Sequence, residues 1–191
     1  MTFVRTGALA AAMALIAGVA MSAPLKLQPA SPQPSPKAGL DVKYVGNGTQ
    51  RKIRDLGQAK QMLSKAKPGQ PLRGLDYRDT NKGEKVLTFS DPYNVAAEIT
   101  GYMRFDSPGV YELETWSNDG IEAWVGGQQI GYVRGIQGCE ANQLTEVEVP
   151  KAGWYPLKII YFQKLGTSCL MMKSGKQGER ITWTPNEVFG R

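Results

Sequence analysis

Histidine is absent from the 191-residue chain, and cysteine occurs only at Cys139 and Cys169. Without histidine no Ser-His-Asp or Cys-His pair can form, so acid–base catalysis would depend on carboxylates or lysines. No pair of carboxylates stands in a recognisable catalytic setting, and we therefore predict that the protein is not an enzyme. Two thiols without histidine also cannot complete a zinc site.

Long apolar runs are also scarce. The longest, Gly7–Met21, has about 15 residues, fewer than the roughly 20 that span a bilayer. It follows Arg5 and leads into small residues before Ala23, a pattern typical of a secretory signal peptide. We predict that residues 1–22 are removed on export to the periplasm or the medium, which leaves no transmembrane segment. In such an oxidising compartment, Cys139 and Cys169 are expected to form a disulfide.

Basic residues concentrate in the first part of the chain. Ala23–Leu87 carries 13 basic and 5 acidic residues, whereas Thr88–Arg191 carries 9 and 12. An excess of basic residues in one stretch favours anionic partners, for example lipid head groups or acidic polymers. The simpler alternative is that these residues form a solvated basic surface. Nucleic acid is not an expected partner, because export separates the protein from the cytoplasm.

Five prolines lie between Pro24 and Pro36. This composition predicts that residues 23–38 form an extended, disordered linker. We place the folded domain at residues 39–191.

The remaining sequence reads mainly as short strands separated by Gly, Pro and Asn turns. Ile53–Lys65 has helical spacing instead, and Pro68-Gly69 follows it. The pattern predicts an all-β sandwich or barrel with one short helical insertion. The predicted strands are Gly39–Val45, Leu72–Tyr77, Lys85–Phe89, Val95–Phe105, Val110–Trp116, Ile121–Val125, Gln129–Val133, Leu144–Val149, Trp154–Phe162, Cys169–Met172 and Ile181–Thr184.

Several motifs in this order resemble the PA14 family. They are Pro108-Gly109-Val110-Tyr111, the turn Ser117-Asn118-Asp119-Gly120, and the run Ala152-Gly153-Trp154-Tyr155-Pro156-Leu157-Lys158. The resemblance covers roughly residues 39–172 and implies a PA14-like antiparallel β-sandwich. Modules of this family occur in bacterial toxins, glycosidases, yeast adhesins and secreted surface proteins.

The resemblance also implies a site at the turn. In sugar-binding adhesins of this family, two consecutive aspartates joined by a cis peptide hold a Ca²⁺ that coordinates sugar hydroxyls, and a later loop adds an asparagine. Asn118 and Asp119 occupy the aspartate positions here, and Gln163 stands nearest the asparagine. Asn118 keeps an oxygen but loses a charge, and Gln163 is a second departure from the pattern, so calcium binding is expected to be weak at best. The alternative is a structural turn, whose side chains bond to nearby backbone groups.

Trp124 is the tryptophan that alternation places opposite the core residues of its strand, so we predict it as an exposed sugar-stacking side chain. The parity of Trp116 suggests a core position. Together these patterns predict an exported, non-catalytic module that binds carbohydrate or an envelope glycan through the loops near Asn118-Asp119. The alternative is a structural or assembly protein of the envelope that uses the sandwich for protein–protein contacts.

Overall fold

The computed structural model describes residues 23–48 and 52–191, and the predicted signal peptide lies outside them. No helix in the described part of the chain has the length and apolar character needed to cross a bilayer. Within residues 23–48 and 52–191, one α-helix, α1 (Leu56–Leu63), and one 3-10 helix (Asn186–Val188) accompany the strands. The strands are β1 (Leu25–Lys26), β2 (Asp41–Gly46), β3 (Lys67–Pro68), β4 (Asp76–Tyr77), β5 (Val95–Phe105), β6 (Gly109–Asn118), β7 (Ile121–Val125), β8 (Gln128–Val133), β9 (Glu140–Val149), β10 (Gly153–Gln163), β11 (Cys169–Lys176), β12 (Thr182–Trp183) and β13 (Phe189–Gly190).

The strands form two packed sheets, which confirms the predicted all-β sandwich. The first sheet has the order β1-β9-β6-β11-β12, and β4 also pairs with β11. The second has the order β3-β2-β5-β10-β7-β8, and β13 also pairs with β5. The consecutive strands β5, β6 and β7 alternate between the sheets, so the turns at both ends of β6 join one sheet to the other.

The core lies between the sheets and follows the period of two that strands impose. Leu113 and Val147 point inward from the first sheet, and Ile99, Leu157 and Ile159 from the second. All five are at most 3% exposed. Each such side chain contributes roughly 1.5–3 kcal/mol of hydrophobic stabilisation when fully buried.

The helix α1 confirms the predicted helical insertion, although it is shorter than the predicted segment. Asp55 caps it by accepting a hydrogen bond from the Gln58 backbone N–H at 2.9 Å. Its apolar side covers the outer face of the second sheet, where Leu56 and Ala59 pack with Ile160 and Phe162. This cover explains why β10 loses its alternation and is buried on both faces at its end.

The proline-rich segment is extended, as predicted, but it packs against the fold instead of forming a free linker. Leu25 and Lys26 pair in parallel with β9, and Leu27 is 1% exposed. The side chain of Gln33 binds the backbone of Trp154 through both its amide nitrogen and its oxygen. The prolines are compatible with this arrangement because they favour extended backbone.

The segment Lys85–Phe89 differs from the predicted strand. Val86 and Phe89 form only an isolated bridge, and Leu87 between them has φ 55, in the left-handed region. A β-branched or apolar composition is therefore not sufficient to make a strand where the chain reverses direction. The apolar side chains of Val86 and Leu87 are nevertheless buried in the core.

Candidate functional site

The turn between β6 and β7 places Asn118 and Asp119 where the chain passes from the first sheet to the second. The peptide bond joining them is cis. The turn lies against the end of β10: Asp119 donates its backbone N–H to Phe162 O at 3.1 Å, and Phe162 donates to Gly120 O at 3.0 Å. The Ser117 hydroxyl donates to Asp119 O at 2.8 Å. The backbone of the turn is thus held on both sides.

Gly120 has a packing reason that sequence reasoning missed. Glycine often occupies turns because it tolerates positive φ, but Gly120 is not among the glycines with positive φ. A Cβ at this position would lie 2.2 Å from Phe162 Cε1 and 2.9 Å from Val133 O. Glycine is therefore required because the aromatic ring and the backbone of β8 approach the turn closely.

Asp119 is the central acidic group of this region, and it is only 2% exposed. Its Oδ2 accepts a hydrogen bond from the Lys164 backbone N–H at 2.7 Å. Burial raises the pKa of Asp119 to about 6, while the backbone amides of Lys164 and Gln137 act in the opposite direction. Positive charge or further donors near Asp119 would therefore stabilise the carboxylate form.

Asn118 and Gln163 meet at Thr167, in the loop between β10 and β11. Asn118 donates from Nδ2 to Thr167 Oγ1 at 2.9 Å, and Gln163 donates from Nε2 to Thr167 O at 2.5 Å. The carbonyl of Asn118 accepts a hydrogen bond from the Tyr161 hydroxyl at 2.5 Å. Burial raises the pKa of Tyr161 well above its usual value, so this hydroxyl remains a donor.

Gln163 leaves one polar atom without a partner. The residue is 0% exposed, and within the described residues its Oε1 accepts no hydrogen bond. A buried acceptor without a donor loses its hydrogen bonds to water and forms none within the protein, which costs free energy. Such acceptors are uncommon in folded proteins. Here the unpartnered oxygen belongs to the same cluster as Asn118 and Thr167.

The loop between β8 and β9 holds the turn from the other side. Gln137 donates from Nε2 to Ser117 O and to Asn142 Oδ1, both at 2.9 Å. The predicted disulfide between Cys139 and Cys169 is confirmed, with a Cα–Cα distance of 5.9 Å. Cys169 pairs directly with Asn118 in the register of β11 and β6. The disulfide therefore ties this loop to the strand beside the turn.

The structure brings together three of the four predicted ligand-binding residues, namely Asn118, Asp119 and Gln163. Trp124 lies elsewhere, on the outer face of the second sheet. Ile121 pairs with Tyr161 near the turn, whereas Trp124 pairs with Lys158, three residues further along β10. At about 3.3 Å per residue, the backbone of Trp124 therefore lies roughly 10 Å along the strand from Ile121, which follows the turn.

Trp116 also differs from its predicted position. Leu113 and Thr115 are the residues of β6 that face the core, so Trp116 faces outward. It packs edge-on against Trp183, with a ring-centroid distance of 5.6 Å. Its indole N–H donates to Glu114 Oε2 at 2.7 Å. The predicted core position of Trp116 was wrong, because Val110, which has the same parity on β6, is itself only half-buried.

Sequence reasoning did not identify Gln137, Lys164 or Thr167 as parts of this region. Lys164 and Gln137 act on Asp119 through backbone amides, which no side-chain pattern can reveal. Thr167 lies two residues before Cys169, and its proximity to a disulfide was the available signal.

The cluster has limited capacity for a metal ion. Asn118, Asp119 and Gln163 provide oxygen atoms suited to a hard cation, and the unpartnered Gln163 oxygen fits such a ligand. Asp119 brings the carboxylate. A second grouping, Asp79 with Cys139 and Cys169, does not offer thiolate ligands because both sulfurs are in the disulfide.

The fold and this loop cluster define a two-sheet sandwich module with a polar site at one end. A family model for the PA14 domain matches residues 76–188, more than half of the chain, and the chain therefore belongs to the PA14 family. This confirms the resemblance seen in the sequence. No curated protein matches the chain.

Solved structures share the fold at low identity. One is a PA14 sugar-binding domain from an RTX adhesin, with 16% identity, a TM-score of 0.66, and coverage of 80% of this chain and 98% of that one. The PA14 domain of the MpAFP antifreeze protein has 14% identity, a TM-score of 0.67, and coverage of 85% and 95%. The Epithelial Adhesin 9 A domain from Candida glabrata, solved with Galβ1-4GlcNAc, has 16% identity, a TM-score of 0.63, and coverage of 87% and 94%.

Proposed function

We propose that this protein is an exported, non-catalytic module that binds carbohydrate through the loops around Asn118 and Asp119. The observation that carries the proposal is the convergence of Asn118, Asp119 and Gln163, with the Gln163 oxygen buried and unpartnered. Structural neighbours support the ligand class, because one is described as sugar-binding and another contains a bound disaccharide. The disulfide supports export, because disulfides persist in oxidising compartments.

The proposed ligand site also includes a weak cation site. Asn118, Asp119 and Gln163 would hold Ca²⁺ through oxygen atoms, and the ion would supply open coordination positions for sugar hydroxyls. With one carboxylate in the set, the affinity should fall in the range of extracellular modules, roughly 10⁻⁴–10⁻³ M. Asp119 is already anchored by Lys164, so its orientation is present before any ligand arrives.

The assembly alternative uses the same sandwich for contacts with another envelope protein. No observation in the described residues favours it over glycan binding, and it is retained as an outcome of the test.

The test is a glycan array probed with the disulfide-bonded protein, in Ca²⁺ and in EDTA. The variants are Asp119→Asn and, as a matched control, Asp76→Asn, whose side chain is 43% exposed and pairs with Arg78. We expect array binding in Ca²⁺ that is lost with Asp119→Asn and kept with Asp76→Asn. Absence of glycan binding, together with a cross-linked envelope protein that depends on Asp119, would support assembly instead.

A further inference from the structure

The outer face of the second sheet carries a row of large side chains that the loop site does not use. Along β10, Trp154, Pro156 and Lys158 face outward, while Tyr155 and Leu157 between them are buried. Beyond Lys158 this face disappears under helix α1, as described above. The exposed part of the sheet therefore ends at the edge of the helix.

Neighbouring strands extend the row on both sides of β10. Tyr102 on β5 pairs with Pro156, and Trp124 on β7 pairs with Lys158. All side chains of one row face the same side, because directly paired residues share a face of the sheet. We call the set Trp124, Tyr102, Trp154 and Pro156 the aromatic platform. It extends over five residues of β10, from Trp154 to Lys158 beside Trp124, which is roughly 13 Å of strand.

One end of the platform opens into a groove of about 570 Å³ beside the helix. Trp124 lines this groove and also packs against the apolar cluster under the helix. Lys60 and Leu63 supply the helix wall, and Pro156, Lys158 and Ile160 supply the strand wall. A half-buried indole at the base of an open groove is a rigid apolar surface with one accessible side.

The charged groups around the platform are paired with one another. Lys60 contacts Glu122 across the helix–sheet boundary, and Lys158 and Lys43 both approach Glu98, at 3.2 and 4.0 Å. At the other end, Arg104 binds Asp106 at 2.8 Å and lies 5.6 Å from the Trp154 ring centre. The surface thus presents hydrogen-bond donors and acceptors with little net charge.

We propose that the aromatic platform is a second carbohydrate-binding surface, which holds an uncharged polysaccharide chain lying along β10. A sugar ring combines an apolar face of C–H groups with a rim of hydroxyls. The apolar face suits the rings of Trp124 and Trp154, and the hydroxyls suit the paired lysine and glutamate groups. Charge balance disfavours a polyanion as the occupant, and the length of the platform requires a chain of several sugars. This proposal rests on the proposed function only for the ligand class, because the two surfaces share no residue.

The test measures retention on insoluble cellulose and chitin, both uncharged, in EDTA. The variants are Trp124→Ala and Trp154→Ala, with Trp183→Ala as the matched control, since Trp183 is a half-buried tryptophan of the other sheet. We expect each platform variant to lose retention by about five- to tenfold and the control to stay near wild type. Trp124→Phe keeps an aromatic ring and should recover most of the retention, which separates stacking from simple destabilisation.

The outcomes also separate this surface from the loop site. Retention in EDTA should persist in Asp119→Asn, whereas that variant should abolish calcium-dependent array binding. Failure of the loop site therefore leaves the platform result intact, and the reverse also holds. The platform proposal is overturned if wild type is not retained on either polysaccharide, if retention occurs only on an anionic polymer such as alginate, or if all three tryptophan variants lose it equally.

Discussion

The backbone N–H of Lys164 donates to Asp119 Oδ2 at 2.7 Å, and this bond joins the turn after β6 to the loop after β10. Asp119 therefore has a structural role in the absence of any ligand. The same anchoring fixes the carboxylate in a buried position, where its ionised form is disfavoured unless a cation is nearby. A structural role in the turn is therefore compatible with a role of Asp119 in ligand binding.

The buried carboxyl of Asp119 should make stability depend on pH. Its folded-state pKa of about 6 lies above the ordinary 3.8, so the folded protein binds this proton more tightly than the unfolded chain does. The resulting stabilisation is fully present below the unfolded pKa and is lost as pH rises through about 6. Relative to Asp119→Asn in EDTA, wild type should lose on the order of 1–2 kcal/mol between about pH 4 and about pH 7, after solvent screening is allowed for. Urea unfolding at both pH values measures this difference, and parallel pH profiles would contradict it.

Asn118→Asp should strengthen calcium binding. The substitution adds a second carboxylate while the Thr167 hydroxyl, which now accepts from Asn118, can donate to the new carboxylate instead. Greater ligand charge raises calcium affinity, so we expect an increase of about tenfold. The measurement is the midpoint of thermal unfolding during a calcium titration, since binding to the folded state alone raises it. Asn142→Asp, which changes an amide near the start of β9, is the matched control, and an equal effect there would rule out a specific site.

Removing the disulfide should destabilise the protein and loosen the loop beside the turn. The bridge closes a segment with a sequence separation of 30. On the chain-entropy model, the double variant Cys139→Ser with Cys169→Ser should lose about 3–4 kcal/mol of unfolding free energy. Hydrogen exchange should show the largest local increase around Gln137, because that residue bonds to Ser117 and lies close to Cys139. A uniform increase over the whole domain would show that the bridge has no local effect on the site.

Gly120→Ala should be strongly destabilising, although the substitution is small. The new methyl group would meet the Phe162 ring and Val133 O, and the backbone oxygen cannot move aside without disturbing β8. We expect a loss of about 1–3 kcal/mol, the usual cost of overpacking. Gly135→Ala is the control, because its Cβ would approach only Arg54 O, at 3.9 Å. Chemical denaturation measures the stability of both variants, and equal stability would contradict the close packing around Gly120.

The N-cap of helix α1 provides a test of the insertion. Asp55→Ala removes the acceptor for Gln58 N–H and should cost about 1 kcal/mol. Asp55→Asn keeps a capping oxygen and should cost much less. If helix α1 shapes the groove beside Trp124, retention on polysaccharide should fall further with Asp55→Ala than with Asp55→Asn.

The sequence by itself determined the elements whose signals are local. Alternation in Val95–Phe105 and Trp154–Phe162 predicted strands, and both are strands in the structure. Helical spacing predicted α1, and an even pair of cysteines predicted the disulfide that is present. The three short motifs, taken together in their order along the chain, were sufficient to indicate the family. These features depend on residues that are close together in the chain or, for the disulfide, on the number of cysteines.

Only the tertiary structure decided which side chains meet. Strands β5, β6 and β7 follow one another in sequence, yet they alternate between sheets, because pairing depends on distant strands. The outward position of Trp116 also depends on the tertiary structure, because alternation within a strand does not tell which of its two faces is covered by the other sheet. The contacts of Asp119 with Lys164 and of Asn118 with Thr167 join segments more than 40 residues apart in the chain. Such convergence is a property of the packed fold, and no local pattern in the chain encodes it.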